Sequence, residues 1–515
     1  MSSAAIQNKS MANAAMWVLL VTIISKVIGF TESAIAASLF GTTAEVDMFY
    51  LASTIANRFV FTIFSGLSVV GLTMYNGARF ERGEDQGNRF VSALVACVIP
   101  LAIVVTAIIY FAAPLISDIM AANYGEAERS ILVKYLRELS CISVFYAFTT
   151  IFTCVLNANK KFLPGVSVGI IQNLSMIVFM LVLSNRIGVN SIVLGLVVAY
   201  VLQAGFLYFV ARSVIRFRSF SLKDDIDIKK ILLLIAPLVL GEATGEINTL
   251  VDQYLATNQG EGYVAGLTYS ETLNDVVTAL FIQTITTVLL AYFSELAVQK
   301  KYGEMLEELK TILKLLALVL IPVSVVTVFG AEHIVSIIFE RGKFDSESVR
   351  ITSLALIGYG FGFVFKTIMV IVKRPFFAIN NTKIPMMMGV VNVAINISLS
   401  IILSHYYGII GITLATSISY VFICAIYFYI LSHTFDEMNW ADCILFSKKV
   451  LIALVVTGLS SYFFARMNII NHFVSLSILT IACFLIFGVV LYFLKTDELS
   501  LIYDKITTKI KDIKK

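Results

Sequence analysis

Long apolar segments recur along the whole chain, and each is about as long as a helix that crosses a lipid bilayer. A transmembrane helix needs about 20 mainly apolar residues, and by that measure we predict about fourteen spans. They lie near 14–38, 47–75, 91–114, 131–156, 164–185, 190–212, 230–256, 264–297, 309–331, 349–378, 384–404, 408–432, 447–466 and 471–494. Inside a bilayer the backbone must satisfy its own polar groups, which a helix does. The sequence therefore predicts an all-α polytopic membrane protein.

The composition supports this interpretation and excludes several classes of protein. Charged residues make up 14% and hydrophobic residues 58% of the 515 residues, whereas a soluble domain carries about 25% charged residues. The net charge of +4 is small and the basic residues lie in short loops, so nucleic acid is not an expected partner. The loops leave no room for a soluble catalytic domain, and Walker A and HExxH patterns are missing. We predict that the protein is not an enzyme. The six cysteines have no CxxC spacing and predict neither a disulfide framework nor a metal site. No cofactor is expected apart from a possible coupling ion.

Basic residues concentrate in alternate loops, which predicts the orientation of the chain. One set of loops includes Arg79, Arg82, Arg89, Lys160, Lys161, Lys300, Lys301, Lys448 and Lys449. The opposite set has few, mainly Arg129, Arg186, Arg341 and Lys343. Because cytoplasmic loops are enriched in Lys and Arg, we predict that both termini are cytoplasmic. Residues 497–515 alternate basic and apolar side chains and predict a basic cytoplasmic tail.

The chain also resembles itself at a nearly constant offset. Asn159–Pro164 opens the fifth predicted span and Asn380–Pro385 opens the eleventh, while Gly188 corresponds to Gly408. Two pseudo-symmetric six-helix lobes of the same orientation, followed by two C-terminal helices, account for this offset. We therefore predict an N-lobe over 1–213, a C-lobe over 214–433 and a helix pair over 434–496. Parallel repeats of this kind occur in transporters, with the substrate site at the interface between repeats.

Four ionisable side chains lie inside or at the mouth of the first two predicted spans: Lys26, Glu32, Asp47 and Arg58. A charge at membrane depth costs about 2.5–3.5 kcal/mol, so such residues usually face a bundle interior or a water-filled cavity. Lys26 offers a point charge and Arg58 a fork to an anionic ligand such as a diphosphate. Glu32 and Asp47 are their expected partners. We predict a polar substrate cavity here, with simple neutralisation between packed helices as the alternative.

Polar side chains in later spans suggest a cation site. They are Glu242, Glu246, Asn248 and Asp252 in the seventh span, Asn392 and Asn396 in the eleventh, and Thr413 and Thr416 in the twelfth. Carboxylate, amide and hydroxyl oxygens are hard ligands that suit a small hard cation. Hydrogen bonding between helices is the alternative use of the same side chains.

Three stretches together carry a family resemblance. They are Ser25–Phe30 through Gly41 and Asp47; Gly241 through Asn248 and Asp252; and Phe339–Phe344 followed by Asn381–Pro385 and Leu414–Ser417. In these stretches the chain resembles the MurJ/MviN family of the multidrug/oligosaccharidyl-lipid/polysaccharide exporter superfamily. The resemblance implies fourteen helices, alternating access and a place in the bacterial cytoplasmic membrane. It also implies a flippase for undecaprenyl-diphosphate-linked sugars, usually lipid II, with membrane lipids and cell-envelope synthesis enzymes as partners.

The resemblance implies roles for individual residues. The predicted substrate-binding set is Ser25, Lys26, Glu32, Asp47, Asn57, Arg58, Glu271 and Thr272, of which Ser25, Lys26, Asp47 and Asn57 match cavity positions of the family. Asp252, Asn392, Asn396 and Thr416 resemble the family's sodium site, which makes Na⁺ the candidate coupling ion. The chain departs from the family where members carry cavity arginines, because Glu32, Val60 and Thr272 stand at those positions. The predicted cavity is therefore less cationic than the family pattern.

Several other functions are compatible with the same sequence. The nearest is a flippase for another lipid-linked glycan, such as an exopolysaccharide or O-antigen precursor. A cation-coupled drug exporter of the same superfamily would have little need for Lys26 or Arg58. A membrane-embedded glycosyltransferase or polymerase would normally need a long catalytic loop, and the loops are short. A scaffold for a cell-envelope complex would tolerate neutralisation of the charges within the membrane.

Overall fold

The computed structural model describes residues 3–222, 226–435, 440–465, 471–496 and 498, and every regular element in them is a helix. The helices are α1 (Ser3–Phe40), α2 (Ala44–Arg82), α3 (Glu84–Met120), α4 (Glu126–Ser140), α5 (Ile142–Ala158), α6 (Leu163–Ile187), α7 (Asn190–Ala211), α8 (Ile228–Thr257), α9 (Tyr263–Val298), α10 (Tyr302–Phe339), α11 (Ser346–Gly360), α12 (Phe363–Val372), α13 (Arg374–Ala378), α14 (Lys383–Tyr407), α15 (Ile409–Thr434), α16 (Ala441–Ala465) and α17 (His472–Phe493). The predicted all-α class is confirmed. Of the predicted tail over 497–515, the structure describes Glu498 alone.

The predicted spans coincide with these helices. Within the described residues, 11 helices are long and apolar enough to cross a membrane, or up to 13 if two bent pairs each count as one span. One bent pair is α8, which turns by 42° just after Pro237, and the other runs from Ser346 to Ala378 with a bend of 43°. Proline lacks the amide hydrogen that would continue the helix, which explains the first bend. Helix α9 matches the eighth predicted span but is not among the helices counted as candidate spans. The total of fourteen stays a prediction.

The internal repeat is visible in the backbone. Helices α6 and α14 each contain 25 residues and each ends at a glycine, Gly188 with φ 59° and ψ −137° and Gly408 with φ 60° and ψ −136°. Just before these helices, Lys160 and Asn380 adopt left-handed φ values of 60° and 59°. Positive φ is uncommon outside glycine, so its recurrence at matched positions supports the repeat. The lobe boundaries near 213 and 433 stay predictions.

By their contacts, the described residues form two compact units. The first contains the described residues up to Thr268 together with Arg341–Asp345, and the second contains Tyr269–Glu340 and the described residues from Ser346 onwards. Helix α8 belongs to the first unit, where it packs against α2. The core of the second unit is a cluster of buried apolar side chains that includes Phe293, Leu309, Ile371, Phe376, Leu431, Phe446 and Phe487.

Small residues let α1 approach α6 closely in the first unit. A Cβ atom added at Gly169 would lie 2.5 Å from Ser25 Oγ, and one added at Gly29 would lie 2.9 Å from Asn173 Nδ2. Asn173 Nδ2 also donates a hydrogen bond to the carbonyl of Ser25 at 3.1 Å. Close packing of this kind is typical of helix contacts in membranes, which are enriched in small residues. It fixes the stretch of α1 that carries Ser25 and its neighbour Lys26.

Candidate functional site

Polar side chains join α2 to α8 at two levels. Arg58 Nη1 lies 2.9 Å from Glu246 Oε2, and Gln253 Nε2 donates to Thr54 Oγ1 at 2.9 Å. Thr54 and Arg58 are four residues apart, so they project from the same face of α2. We call the four residues Thr54, Arg58, Glu246 and Gln253 the polar stripe. It connects Arg58, a residue of the first predicted cavity, to polar side chains of α8.

The two charges of the polar stripe differ in accessibility. The side chain of Arg58 is 43% exposed, whereas that of Glu246 is 12% exposed. A guanidinium has five N–H donors, and one carboxylate does not use them all. Arg58 can therefore hold Glu246 and still offer donors to an anion. The pairing corrects the expectation that Glu32 or Asp47 is the partner of Arg58.

Asn57 is held next to the polar stripe by α7. The hydroxyl of Tyr200 donates to Asn57 Oδ1 at 2.6 Å. The ring of Tyr200 in turn meets the ring of Tyr146 edge-on, with centroids 6.2 Å apart. A side-chain amide that accepts a hydrogen bond at this distance has a fixed orientation. Tyr200 thus fixes the side-chain amide of Asn57, and a role of Asn57 in substrate binding stays a prediction.

The predicted residues of α1 are placed differently. Lys26 is exposed and Glu32 is half-buried, and neither forms an ion pair with a described residue. Ser25 contributes its carbonyl to the contact with Asn173. The ammonium of Lys26 is therefore available to a ligand. The expected ion pair between Lys26 and Glu32 is not formed.

Asp47 is a buried helix cap. Its Oδ2 accepts hydrogen bonds from the Tyr124 hydroxyl at 2.7 Å and the Gly262 amide at 2.5 Å, and its Oδ1 accepts one from the Ala265 amide at 2.7 Å. Helix α9 begins at Tyr263, so these amides belong to its otherwise unsatisfied first turn. Burial and the neighbouring Asp47 charge raise the pKa of Tyr124, which keeps its hydroxyl protonated and donating. This placement favours a structural role for Asp47 over contact with substrate.

The segment Arg341–Asp345 docks on the C-terminal end of α1. The Lys343 amide donates to the Ser38 carbonyl at 2.8 Å. Gly41 and Gly342 both have φ +64°, and a Cβ atom at Gly342 would overlap the Ser38 carbonyl oxygen. Only glycine adopts such a backbone with no steric cost and allows so close an approach. The family motif around Gly342 thus has a packing role in the first unit.

The remaining predicted substrate residues lie elsewhere. Glu271, on the part of α9 that belongs to the second unit, accepts a hydrogen bond from the Tyr359 hydroxyl at 3.1 Å, and Thr272 follows it. Val60, which replaces a family arginine, is 1% exposed on α2. A cation there would be buried among apolar side chains, so the local packing suits valine.

The predicted sodium ligands are divided between the two units. Asp252 is buried on α8 in the first unit, where Asn248 Nδ2 donates to its Oδ2 at 3.3 Å. In the second unit Asn396 Nδ2 donates to Thr416 Oγ1 at 3.0 Å, which confirms that α14 and α15 bring these two side chains together. The Oδ1 atoms of Asn248 and Asn392 are buried without a hydrogen-bond partner among the described residues. Buried oxygens of this kind fit a small hard cation.

Glu246 was predicted as a candidate cation ligand but not as the partner of Arg58, and Tyr200 was not predicted as a site residue. A signal for each was present in the sequence. Glu246 lies one turn after Glu242 in an apolar span, and intramembrane acids are functional candidates by default. Tyr200 has a counterpart at Tyr420 in the internal repeat. Neither signal, however, says which helix supplies the opposite partner.

The helical fold and its polar interior define a class of membrane transporter. A solved structure described as an inward-facing conformation of a multidrug resistance MATE family transporter of the MOP superfamily covers 81% of this chain and 96% of its own, with a TM-score of 0.66 and 13% identity. At that identity the likeness concerns the fold alone. A solved structure described as lipid II flippase MurJ in an inward closed conformation is closer, with a TM-score of 0.78 and 25% identity over 93% of this chain and 99% of that one.

The family follows from the sequence comparisons. The family model described as lipid II flippase MurJ matches residues 36–484. The chain belongs to this family, whose members are multi-pass proteins of the bacterial inner membrane. A probable lipid II flippase MurJ from Treponema pallidum (strain Nichols) is 25% identical over 507 residues, covering 93% of this chain and 95% of the relative. One from Rickettsia prowazekii (strain Madrid E) is 24% identical and covers 77% of this chain and 79% of its own length.

Proposed function

We propose that this protein is a flippase that moves lipid II, an undecaprenyl-diphosphate-linked peptidoglycan precursor, from the inner to the outer leaflet by alternating access. The observation that carries the proposal is the family match over residues 36–484, supported by relatives that are similar over nearly the full chain. Transport needs no covalent step, so we assign the protein no enzymatic activity. Peptidoglycan synthesis enzymes are the proposed partners.

The polar stripe supplies chemistry that suits such a cargo. A diphosphate is recognised by guanidinium and ammonium groups, and Arg58 and Lys26 are both accessible in the first unit. Glu246 balances Arg58 in the absence of cargo, which lowers the cost of keeping a guanidinium at membrane depth. The diphosphate would then share Arg58 with Glu246 rather than replace the carboxylate.

A related lipid-linked glycan is the second candidate cargo. Glu32, Val60 and Thr272 replace family arginines, and Arg58 is already paired with an acid. Both features weaken the attraction for a dianion, and they favour a cargo whose sugars contribute more of the binding. A drug exporter is a weaker candidate, because the likeness to MATE transporters extends to the fold alone.

Sodium coupling and orientation complete the proposal. We propose that Asp252, Asn392, Asn396 and Thr416 contribute to binding Na⁺, with the buried unpartnered oxygen of Asn392 as support. The alternation of basic loops supports cytoplasmic termini. The chain shows no nucleotide-binding motif, so we propose that the sodium gradient across the membrane drives transport through binding of Na⁺ to these residues.

Complementation tests the proposed cargo. The lipid II flippase of a bacterial host is depleted, and this chain is expressed in its place. Growth supports lipid II as the cargo. Failure by a protein shown to be folded and inserted in the membrane refutes lipid II and favours the second candidate, whose precursor should accumulate in the inner leaflet of a knockout.

A further inference from the structure

A groove of about 800 Å³ lies between α3 and α4 in the first unit, apart from the polar stripe. Its charged lining residues are the acids Asp118, Glu126 and Glu138 and the bases Arg129, Lys134 and Arg137. Acids and bases are thus equal in number. The groove is a polar recess with no net formal charge, on the outside of α3 and of α4, the first part of the candidate span Glu126–Ala158.

Lipid-facing surface borders this groove. On α3 the side chains of Phe111 and Leu115 are 78% and 64% exposed. The residues immediately before them, Tyr110 and Pro114, line the groove. Large apolar side chains exposed on a membrane span face the hydrocarbon chains of the bilayer. A molecule in the groove would therefore lie next to acyl chains.

Three charged side chains meet at one end of the groove. Arg137 and Glu138 lie three and four residues after Lys134, so both are neighbours of Lys134 on the surface of α4. All three side chains are exposed. The Arg137 guanidinium lies 5.0 Å from the centre of the Tyr110 ring, and it pairs with no carboxylate among the described residues. Glu138 has only a long contact with a base, 3.9 Å to Lys134 Nζ. One cation and one anion are therefore open to a ligand side by side.

We propose that the groove binds the headgroup of a zwitterionic phospholipid, with its phosphate on Arg137 and its ammonium on Glu138. A guanidinium donates two parallel hydrogen bonds to a phosphate, and a carboxylate accepts from an ammonium. The acyl chains then lie along Phe111 and Leu115. Exposed charges beside lipid are costly unless a polar partner covers them, and a headgroup is such a partner. The balanced charge of the groove disfavours a purely anionic headgroup.

Native mass spectrometry of the full-length protein in detergent tests this site. It is titrated with a phospholipid bearing an ethanolamine headgroup, with its glycerol-headgroup counterpart, and with inorganic phosphate alone. We expect the ethanolamine lipid to bind most tightly and Arg137→Gln to weaken its binding about tenfold. Arg137→Lys should retain part of the binding because the positive charge remains. Glu138→Gln should abolish the preference for ethanolamine over glycerol.

The matched control is Arg186→Gln, an arginine at the end of α6 that does not line the groove. It should leave lipid binding unchanged. Equal binding by Arg137→Gln and the unmodified protein overturns the site. Equal binding of the two lipids by the unmodified protein overturns the zwitterionic assignment. Displacement of the lipid by inorganic phosphate alone shows a simple anion site and also overturns the proposal.

Discussion

Arg58 on α2 and Glu246 on α8 form an ion pair with Nη1 and Oε2 2.9 Å apart. The acid is mostly buried and the base is nearly half exposed. A buried carboxylate that loses its counter-charge costs more than a pair removed as a whole. The structure therefore predicts that removing Arg58 alone lowers the free energy of unfolding more than removing Arg58 and Glu246 together.

Arg58→Ala should lower the free energy of unfolding by about 1 kcal/mol, a value reduced for solvent screening of the exposed guanidinium. Adding Glu246→Ala should recover part of that loss. Thermal melting in detergent measures both. The control is Arg89→Ala, whose pair with Asp85 is 48% and 56% exposed and should contribute almost nothing. Equal losses for Arg58→Ala and Arg89→Ala would contradict the prediction.

Lys26→Ala should abolish export of the lipid-linked cargo and leave the melting temperature unchanged. Lys26 is exposed and forms no ion pair with a described residue, so its removal costs the fold little, whereas the cargo loses a cation. Complementation and surface accumulation of cargo are the measurements. Lys229→Ala, at an exposed lysine in the first turn of α8, is the control and should support growth. Normal export by Lys26→Ala would rule out this role.

Asp47→Ala should destabilise the fold by about 2–3 kcal/mol, because three donors lose their buried acceptor. Tyr124→Phe removes one of those donors and should cost about 1 kcal/mol. Melting curves of the two variants test whether Asp47→Ala loses more stability than Tyr124→Phe. Asp118→Ala, at a side chain 67% exposed, provides the comparison and should change the melting temperature little. A stable Asp47→Ala variant that fails to export would instead favour direct contact with cargo.

Gly342→Ala should destabilise the docking of Arg341–Asp345 on α1. A left-handed backbone costs a residue with a side chain about 1–2 kcal/mol, and the added Cβ atom would also overlap the Ser38 carbonyl. Gly77→Ala is the control, because a Cβ atom added there would meet no atom within 4 Å and its helix should gain roughly 0.5–1 kcal/mol. Melting temperatures should move in opposite directions. A neutral Gly342→Ala would contradict the close approach.

Asp252→Ala and Asn396→Ala should each remove stabilisation by sodium. A ligand that binds only the folded protein stabilises it by about 2.7 kcal/mol at one hundred times its dissociation constant. Melting is compared in sodium and potassium chloride at equal ionic strength. Ser398→Ala, at an exposed position on α14, should keep the full sodium response. An unchanged response in Asp252→Ala or Asn396→Ala would remove that residue from the site.

The sequence alone predicts the helices well, because a long apolar segment in a bilayer has essentially one way to satisfy its backbone. It also predicts that α14 and α15 share polar contacts through Asn396 and Thr416, since the two helices are adjacent along the chain. Contacts between side chains that are distant in sequence were not predicted. Glu246 was predicted as a candidate cation ligand and not as the partner of Arg58. Asp47 was predicted as a substrate-binding residue and a partner of the basic side chains, and not as the cap of α9. Apolar helix surfaces do not specify their neighbours, and those neighbours decide which charges meet.

The balance of charge in the first unit has an electrical consequence for transport. Glu32 and Glu246 already offset the charges of Lys26 and Arg58, and Asp47, Glu242 and Asp252 are further acids of the same unit. The protein would therefore not neutralise the charge of a bound diphosphate. Each elementary charge that crosses the membrane carries about 2.3 kcal/mol per 100 mV. An anion leaving a negative interior moves down this gradient. Export of such a cargo would therefore be an electrogenic process that the resting voltage of the cell accelerates.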